Sequence, residues 1–236
     1  ICMLLIDTAR AFSINAKRAL EAVKKNFPNL PLMVGNTCTP EGTKFLCEHG
    51  ADIVKVGIGP GNGCTTRRTG MGIPQLSAIG RCAPIAKLYG KTIVGDGGID
   101  GPGSIFKGLG AGASGLMVGR LLFGTEESAE EAKLVELKHH DIIEGEIKYK
   151  VYAGSASFSA QQKRVSRGEQ SHINEPEGRE VWVPVTCKIG ERIQSQLRWL
   201  ASAMSYRGMR NLKDLHEKFC FDLPQSAAGL KEGTKK

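Results

Sequence analysis

Five short apolar, β-prone runs constrain this chain's fold more than any other feature. They are Met3–Asp7, Leu32–Asn36, Ile53–Gly57, Thr92–Asp96 and Leu116–Gly119, and each ends in a polar or glycine-rich turn. Runs of this length suit parallel strands buried on both faces. Helix-length segments lie between them. Ile14–Phe27 carries Ala16, Ala19, Leu20 and Val23 at helical spacing, with Ser13 placed to cap it and Pro28 to stop it. Pro40, after Thr39, opens a second helix that ends before Gly50. Gln75–Tyr89 and Pro102–Gly110 read as two more. Strand then helix, repeated, predicts a parallel α/β sheet or barrel. Asp7, Asn36, the 57–63 glycine stretch and Asp96-Gly97-Gly98 follow the strand ends, where a (β/α) barrel builds its active site.

Beyond Gly119 the pattern changes. Glu126–His140 is charged and reads as helical. Tyr149–Gln162 is small and serine-rich, and Lys163–Glu177 is polar without periodicity, which predicts a mobile loop. Val181–Val185 alternates like a short strand. Gly190–Met204 is an amphipathic helix, Asn211–Lys218 a shorter one, and a tail over 225–236 is expected to be disordered.

Composition removes several classes of function. No run approaches the roughly 18–20 apolar residues of a membrane span. The 30 glycines have no period, which excludes collagen. The net charge of +8 is spread along the chain without basic and aromatic residues interleaved, an argument against a nucleic-acid partner. Seven cysteines without a C-x-x-C pair argue against a disulfide scaffold or zinc ribbon and for a reducing, cytoplasmic setting. The chain opens inside an apolar run, Ile1 to Ile6, as a fragment or processed product would.

The stretch richest in chemistry is Gly57-Ile58-Gly59-Pro60-Gly61-Asn62-Gly63-Cys64-Thr65-Thr66-Arg67. A glycine-rich turn after a strand can present carbonyls to a cation or amides to a phosphate. Cys64, between glycines and hydroxyls instead of apolar neighbours, is a candidate nucleophile, with Thr65 and Thr66 beside it. Gly95-Asp96-Gly97-Gly98 could bind a sugar through Asp96 and a phosphate through backbone amides.

These motifs, with Thr69-Gly70-Met71-Gly72-Ile73-Pro74-Gln75, Tyr152-Ala153-Gly154-Ser155 and Glu177-Gly178 in that order, resemble the inosine monophosphate dehydrogenase and GMP reductase family over nearly the whole chain to about Leu215. The resemblance implies a (β/α)8 TIM-type barrel of which the chain supplies about the last five strands, over residues 1–220, with a mobile flap near 159–177. Met3–Asp7 would be the fourth strand. It implies Cys64 as the nucleophile at C2 of a purine nucleoside monophosphate, with Thr66 assisting. Asp96 would bind the ribose, while Gly97, Gly98, Gly119, Tyr152, Gly154 and Ser155 would surround the sugar phosphate. Glu177 and Gly178 would read the purine edge. Asp7 and Asn36 would lie near the nicotinamide, and the carbonyls of Gly59, Gly61 and Cys64 would hold a monovalent cation such as potassium. A homotetramer is implied as well.

Two branches of the family differ in the flap. The dehydrogenase oxidises IMP to XMP with NAD and activates the hydrolytic water with an Arg-Tyr pair. The reductase deaminates GMP to IMP with NADPH and needs no such water. Residues 162–176 carry no Arg-Tyr pair, and Pro74–Ala78 and Glu177–Pro184 resemble the reductase form. The expectation is therefore a reductase. The alternatives are a dehydrogenase or a non-catalytic structural relative. Asn62 and Arg120 depart from the residues usual beside the phosphate, and Phe158 stands where reductases carry a glutamate that helps deamination.

Overall fold

The computed structural model describes residues 1–129, 132–139, 142–154, 156–176 and 178–219, and for 134–139 and 142–145 the backbone course alone. Its first half is a five-stranded sheet of β1 (Leu4–Asp7), β2 (Leu32–Thr37), β3 (Ile53–Val56), β4 (Thr92–Asp96) and β5 (Gly115–Met117). The strands lie in chain order and every neighbouring pair is parallel. Helices α1 (Ile14–Asn26), α2 (Pro40–Glu48), α3 (Gln75–Leu88) and α4 (Pro102–Gly110) connect them. This is the winding of a (β/α) barrel, present here as an arc.

The local chemistry of each connection is visible. Ser13 Oγ accepts from Ala16 N at 3.2 Å and starts α1, and Thr39 Oγ1 accepts from Gly42 N at 3.2 Å and starts α2. Leu20, Leu46, Ile79 and Cys82 from the helices meet Leu32, Val34, Val54, Val56 and Ile93 from the strands in one fully buried core. At the edge of that core, Lys24 and Lys91 donate to the two oxygens of Asp52, at 2.5 and 2.9 Å, and Leu32 N donates to the same carboxylate at 3.0 Å. Burial alone would raise the Asp52 pKa, but these three donors outweigh it and hold it down at about 2.

After β5 a short helix α5 (Arg120–Phe123) leads into an antiparallel sheet of β6 (Lys133–His139), β7 (Ile142–Ala153) and β8 (Glu180–Pro184), ordered β6-β7-β8. The helix expected over Glu126–His140 is thus a strand from Lys133. Its partner β7, with Glu136 opposite Glu146 and Lys133 opposite Tyr149, overrides the helical look of the charged stretch. The loop expected from Lys163 is also shorter than predicted. Helix α6 runs over Phe158–Ser166, capped by Ser157, which accepts from Ala160 N. Helix α7 (Ile189–Ser205) packs on α4, and α8 (Leu212–Lys218) closes a second small core of Leu109, Met209 and Leu215. The tail expected to be disordered, 225–236, lies outside the described residues. Among the described residues, no helix is long and apolar enough to cross a membrane.

Candidate active site

The C-terminal ends of the parallel strands converge on a polar cluster. Lys55, inside β3 and only 4% exposed, points its ammonium at two carboxylates, Asp96 Oδ2 at 2.5 Å and Asp7 Oδ1 at 2.9 Å. Asn36 Nδ2 donates to the same Asp96 oxygen at 2.9 Å and to Gly57 O at 2.6 Å. Burial by itself would lower the Lys55 pKa; the bonds to Asp96 and Asp7 prevail and raise it above the ordinary lysine value. Asp7 and Asp96, singled out from sequence, are therefore drawn together by Lys55, which was missed, and Asn36 joins them through Asp96. The signal was present: a lone charge in Ile53-Val54-Lys55-Val56 must find buried partners.

The Cys64 loop leaves β3 through Gly57, whose φ of +152° and Cβ position 1.9 Å from Asp96 O admit only glycine. It turns back through a bond from Cys64 N to Gly61 O at 3.0 Å, and is tied at its far end by Ile73 N to Ile58 O at 3.3 Å. Half-buried Cys64 donates its Sγ–H to Thr66 Oγ1 at 3.1 Å, and the threonine hydroxyl can reverse the bond to a thiolate. Gly59 and Gly61 lie on the same turn. A strap from much later in the chain crosses it. Arg179 N donates to Gly63 O at 2.9 Å, Arg179 Nε donates to Asn62 O at 2.8 Å, and Gly178 forms an antiparallel bridge with Cys64. Gly178 also bridges Ser157, and Gly154 N donates to Arg179 O at 3.2 Å, so the loop, the strap and the start of α6 are one backbone-bonded unit.

Beside this loop lies a cavity of about 220 Å³. Asn62, Asp96, Gly97, Gly98, Gly119 and Tyr152 are on its wall, together with Arg120, the first residue of α5. Gly97 has a φ of +94° and packs its Cα face on Pro60 and Gly61, a close approach that a side chain would prevent. The Tyr152 phenol has its pKa raised by burial and then by the Asp96 charge, so it stays a neutral hydrogen-bond donor. Its ring meets Phe123 edge-on with centroids 5.1 Å apart. A larger open cleft of about 650 Å³ lies between Glu126, Lys148 and Thr186, but it holds neither the cysteine nor the strand-end polar cluster.

Ser155 and Glu177, both expected at the site, lie outside the described residues. Phe158 sits at the start of α6 beside Ser157, with 53% of its surface exposed. Two polar oxygens near the strand ends, Asn36 Oδ1 and Gln75 Oε1, are buried with no hydrogen-bond donor among the described residues. An amide N–H of a bound molecule would satisfy either one. Among the described residues no group of three or more His, Cys, Asp or Glu is placed to hold a metal ion.

Over residues 1–236 the chain matches the family model described as the IMP dehydrogenase / GMP reductase domain. It is 42% identical over 224 residues to inosine-5'-monophosphate dehydrogenase of Aquifex aeolicus (strain VF5), covering 93% of this chain and 44% of that protein. It is 39% identical over 236 residues to the enzyme of the same name from Streptococcus pyogenes, covering 97% and 46%. Among solved structures it is similar to GMP reductase from Trypanosoma brucei in complex with guanosine 5'-monophosphate, with a TM-score of 0.88, 30% identity, and coverage of 98% of this chain and 46% of that one. The chain thus spans somewhat under half the length of the curated relatives it matches, and the arc of five strands corresponds to part of a TIM barrel.

Proposed function

The chain belongs to the IMP dehydrogenase / GMP reductase family, and from that premise we propose that it carries the catalytic half of a purine-nucleotide oxidoreductase working in the reductive direction, GMP to IMP. The observation that carries this reading is Cys64 on its glycine turn, 3.1 Å from Thr66 and on the same loop that walls the cavity of Gly97, Gly98, Gly119 and Tyr152.

The Cys64 thiolate adds to C2 of the purine, and the C2 amino group leaves as ammonia. Thr66 is the near hydroxyl able to pass a proton to it. NADPH supplies the hydride that C2 accepts before the thiolate is expelled. Asp96, held by Lys55 and Asn36, accepts the ribose hydroxyls. Gly97, Gly98, Gly119 and the neutral Tyr152 donate to the 5'-phosphate, and a substrate-binding role for Gly154 and Ser155 belongs to the same proposal. Gly178, on the strap, and Glu177 read the purine edge. The unsatisfied Asn36 Oδ1 fits a carboxamide N–H, which suits the nicotinamide end of a dinucleotide next to Asn36 and Asp7. The carbonyls of Gly59, Gly61 and Cys64 are suited to a monovalent cation; Gly61 O spends one lone pair on Cys64 N and keeps the other. A homotetramer in the cytoplasm belongs to the same proposal.

The direction rests on the flap. Oxidation leaves a purine on Cys64 that an activated water must remove, and residues 162–176 offer no Arg-Tyr pair for that task. A structural relative named GMP reductase and bound to guanosine 5'-monophosphate supports the reductive reading. A second reading, NAD-dependent oxidation of IMP, is favoured by the higher identity to proteins named as the dehydrogenase. Phe158 has no proton to give, and general acid–base assistance is commonly worth about 10²–10⁴-fold, so a slow reductase is expected. Following nicotinamide absorbance in both directions on the complete polypeptide decides. Oxidation of NADPH that depends on GMP supports the proposal. Robust NAD reduction with IMP overturns it, and silence in both directions with nucleotide still bound leaves a non-catalytic subunit.

A further inference from the structure

Lys150 is a buried lysine outside the catalytic cluster. It is 3% exposed, in the C-terminal half of β7, and makes no ion pair among the described residues. A buried ammonium without a counter-charge is costly unless dipoles replace its water. Here they do. Its Nζ lies 2.9 Å from Thr125 O, 2.8 Å from Glu126 O, 2.9 Å from Ser128 O and 2.9 Å from Ser128 Oγ. All four oxygens belong to the turn that follows α5. That turn is itself bound back to the helix. Thr125 Oγ1 donates to Leu122 O at 2.8 Å, and Ser128 Oγ donates to Phe123 O at 2.6 Å while accepting from Lys150.

The position of the cage gives it a consequence. Alternate residues of a strand share a face, so Lys150 and Tyr152 point the same way from β7. Lys150 grips the turn after α5, and Tyr152 packs its ring on Phe123 within α5. Gly119, which precedes α5, and Tyr152 are neighbours on the cavity wall, a Cβ on Gly119 falling 2.9 Å from the Tyr152 hydroxyl oxygen. The ammonium therefore ties together the two elements, β7 and the segment around α5, that bring Tyr152 against Gly119 on that wall.

We propose that Lys150 is a built-in monovalent cation: its ammonium fills a four-oxygen cage and positions Tyr152 against the Gly119 segment for nucleotide binding. The cage resembles the ring of carbonyls that replaces the hydration shell of a desolvated cation, so removing the tether leaves a pocket for a free one. The nucleotide part rests on the reading in the preceding subsection, whereas the cage does not.

The test compares Lys150→Ala, which empties the cage, with Lys150→Met, which fills it with an apolar stem. Both are made in the complete polypeptide, with GMP and IMP affinity followed by calorimetry and Tm by thermal unfolding. Potassium, ammonium and choline chlorides are compared at equal ionic strength. Lys150→Ala is expected to bind nucleotide about tenfold more weakly and to recover most of the loss, with a rise in Tm, in potassium or ammonium but not choline. Lys150→Met should show the loss without the recovery, and the unsubstituted protein sets the background cation effect. Should Lys150→Ala fail to fold, Ser128→Ala removes one cage oxygen and is expected to weaken binding in the same direction. Unchanged nucleotide affinity in these variants, or an equal loss in both lysine variants that no cation restores, overturns the proposal. If the unsubstituted protein binds no purine nucleotide, the functional reading fails, while the cation response of Tm in Lys150→Ala still decides the cage.

Discussion

Replacing Lys55 by methionine keeps most of the stem and removes the ammonium from between Asp7 and Asp96. Unit charges about 3 Å apart attract by about 5–6 kcal/mol at an effective dielectric constant of about 20, and desolvation of the lysine cancels much of this. Loss of one partner from a buried pair usually costs about 3–5 kcal/mol. The structure lowers that figure. The Asp7 side chain is 58% exposed and regains water, and Asp96, 24% exposed, keeps the Asn36 amide at 2.9 Å. A loss of about 2–3 kcal/mol is expected in urea unfolding at neutral pH. The sign of the pH dependence follows from the raised Lys55 pKa. Its contribution is fully present below the ordinary lysine value of 10.5 and is lost as pH rises through the folded value. The gap between wild type and Lys55→Met should thus be flat through neutrality and close only in strong alkali. Adding Asp96→Asn to the variant should cost less than the two single losses combined, because the carboxylate left without its cation is gone. A Lys55→Met protein within about 0.5 kcal/mol of wild type, the scatter of ordinary surface substitutions, would refute the reasoning.

Three further outcomes can be checked. Cys64→Ala is expected to abolish turnover while calorimetry still finds nucleotide bound; turnover at a wild-type rate would remove Cys64 from the mechanism. Asp52→Asn should destabilise at neutral pH by about 1–2 kcal/mol after discounting for partial exposure. Because the Asp52 pKa is lowered to about 2, that difference should persist above the ordinary value of 3.8 and vanish as pH falls through about 2. Gly57→Ala, with a Cβ 1.9 Å from Asp96 O, should cost several kcal/mol and lower the Tm sharply; a Tm within a degree or two would mean the β3 exit yields more easily than its geometry indicates.

The first half of the chain was legible because its signals are local. Thr92–Asp96 and Pro102–Gly110 were read at their observed limits, and β1, β2, β3 and β5 were found within a few residues of theirs, since apolar runs, prolines and caps mark boundaries without tertiary help. Lys133–His139 was misread because its charges are compatible with a helix and only the β7 partner decides otherwise. The helix through Ser166 was missed for a related reason: its polar surface lacks a periodic stripe, while Ser157 and the buried Gln161, which donates to Asn174 O at 3.2 Å, anchor it. At the site, the motif residues were visible as motifs. Lys55 showed only as a lone charge in an apolar run, because its partners are two carboxylates 48 and 41 positions away, Asp7 and Asp96.

The strap across the Cys64 loop has a bearing on the order in which the molecule assembles. Arg179 reaches Asn62 across 117 positions, and closing a loop of that size carries a chain-length penalty of about 4 kcal/mol beyond the fixed cost. The five parallel strands need no such closure and all emerge before the strap during synthesis. A young chain therefore passes through a stage with these five strands present and its cysteine turn untethered. The Arg179 amide, bonded to Gly63 O, is the natural clock for that stage: its exchange with solvent deuterium should report when the turn becomes competent, separately from when the sheet folds.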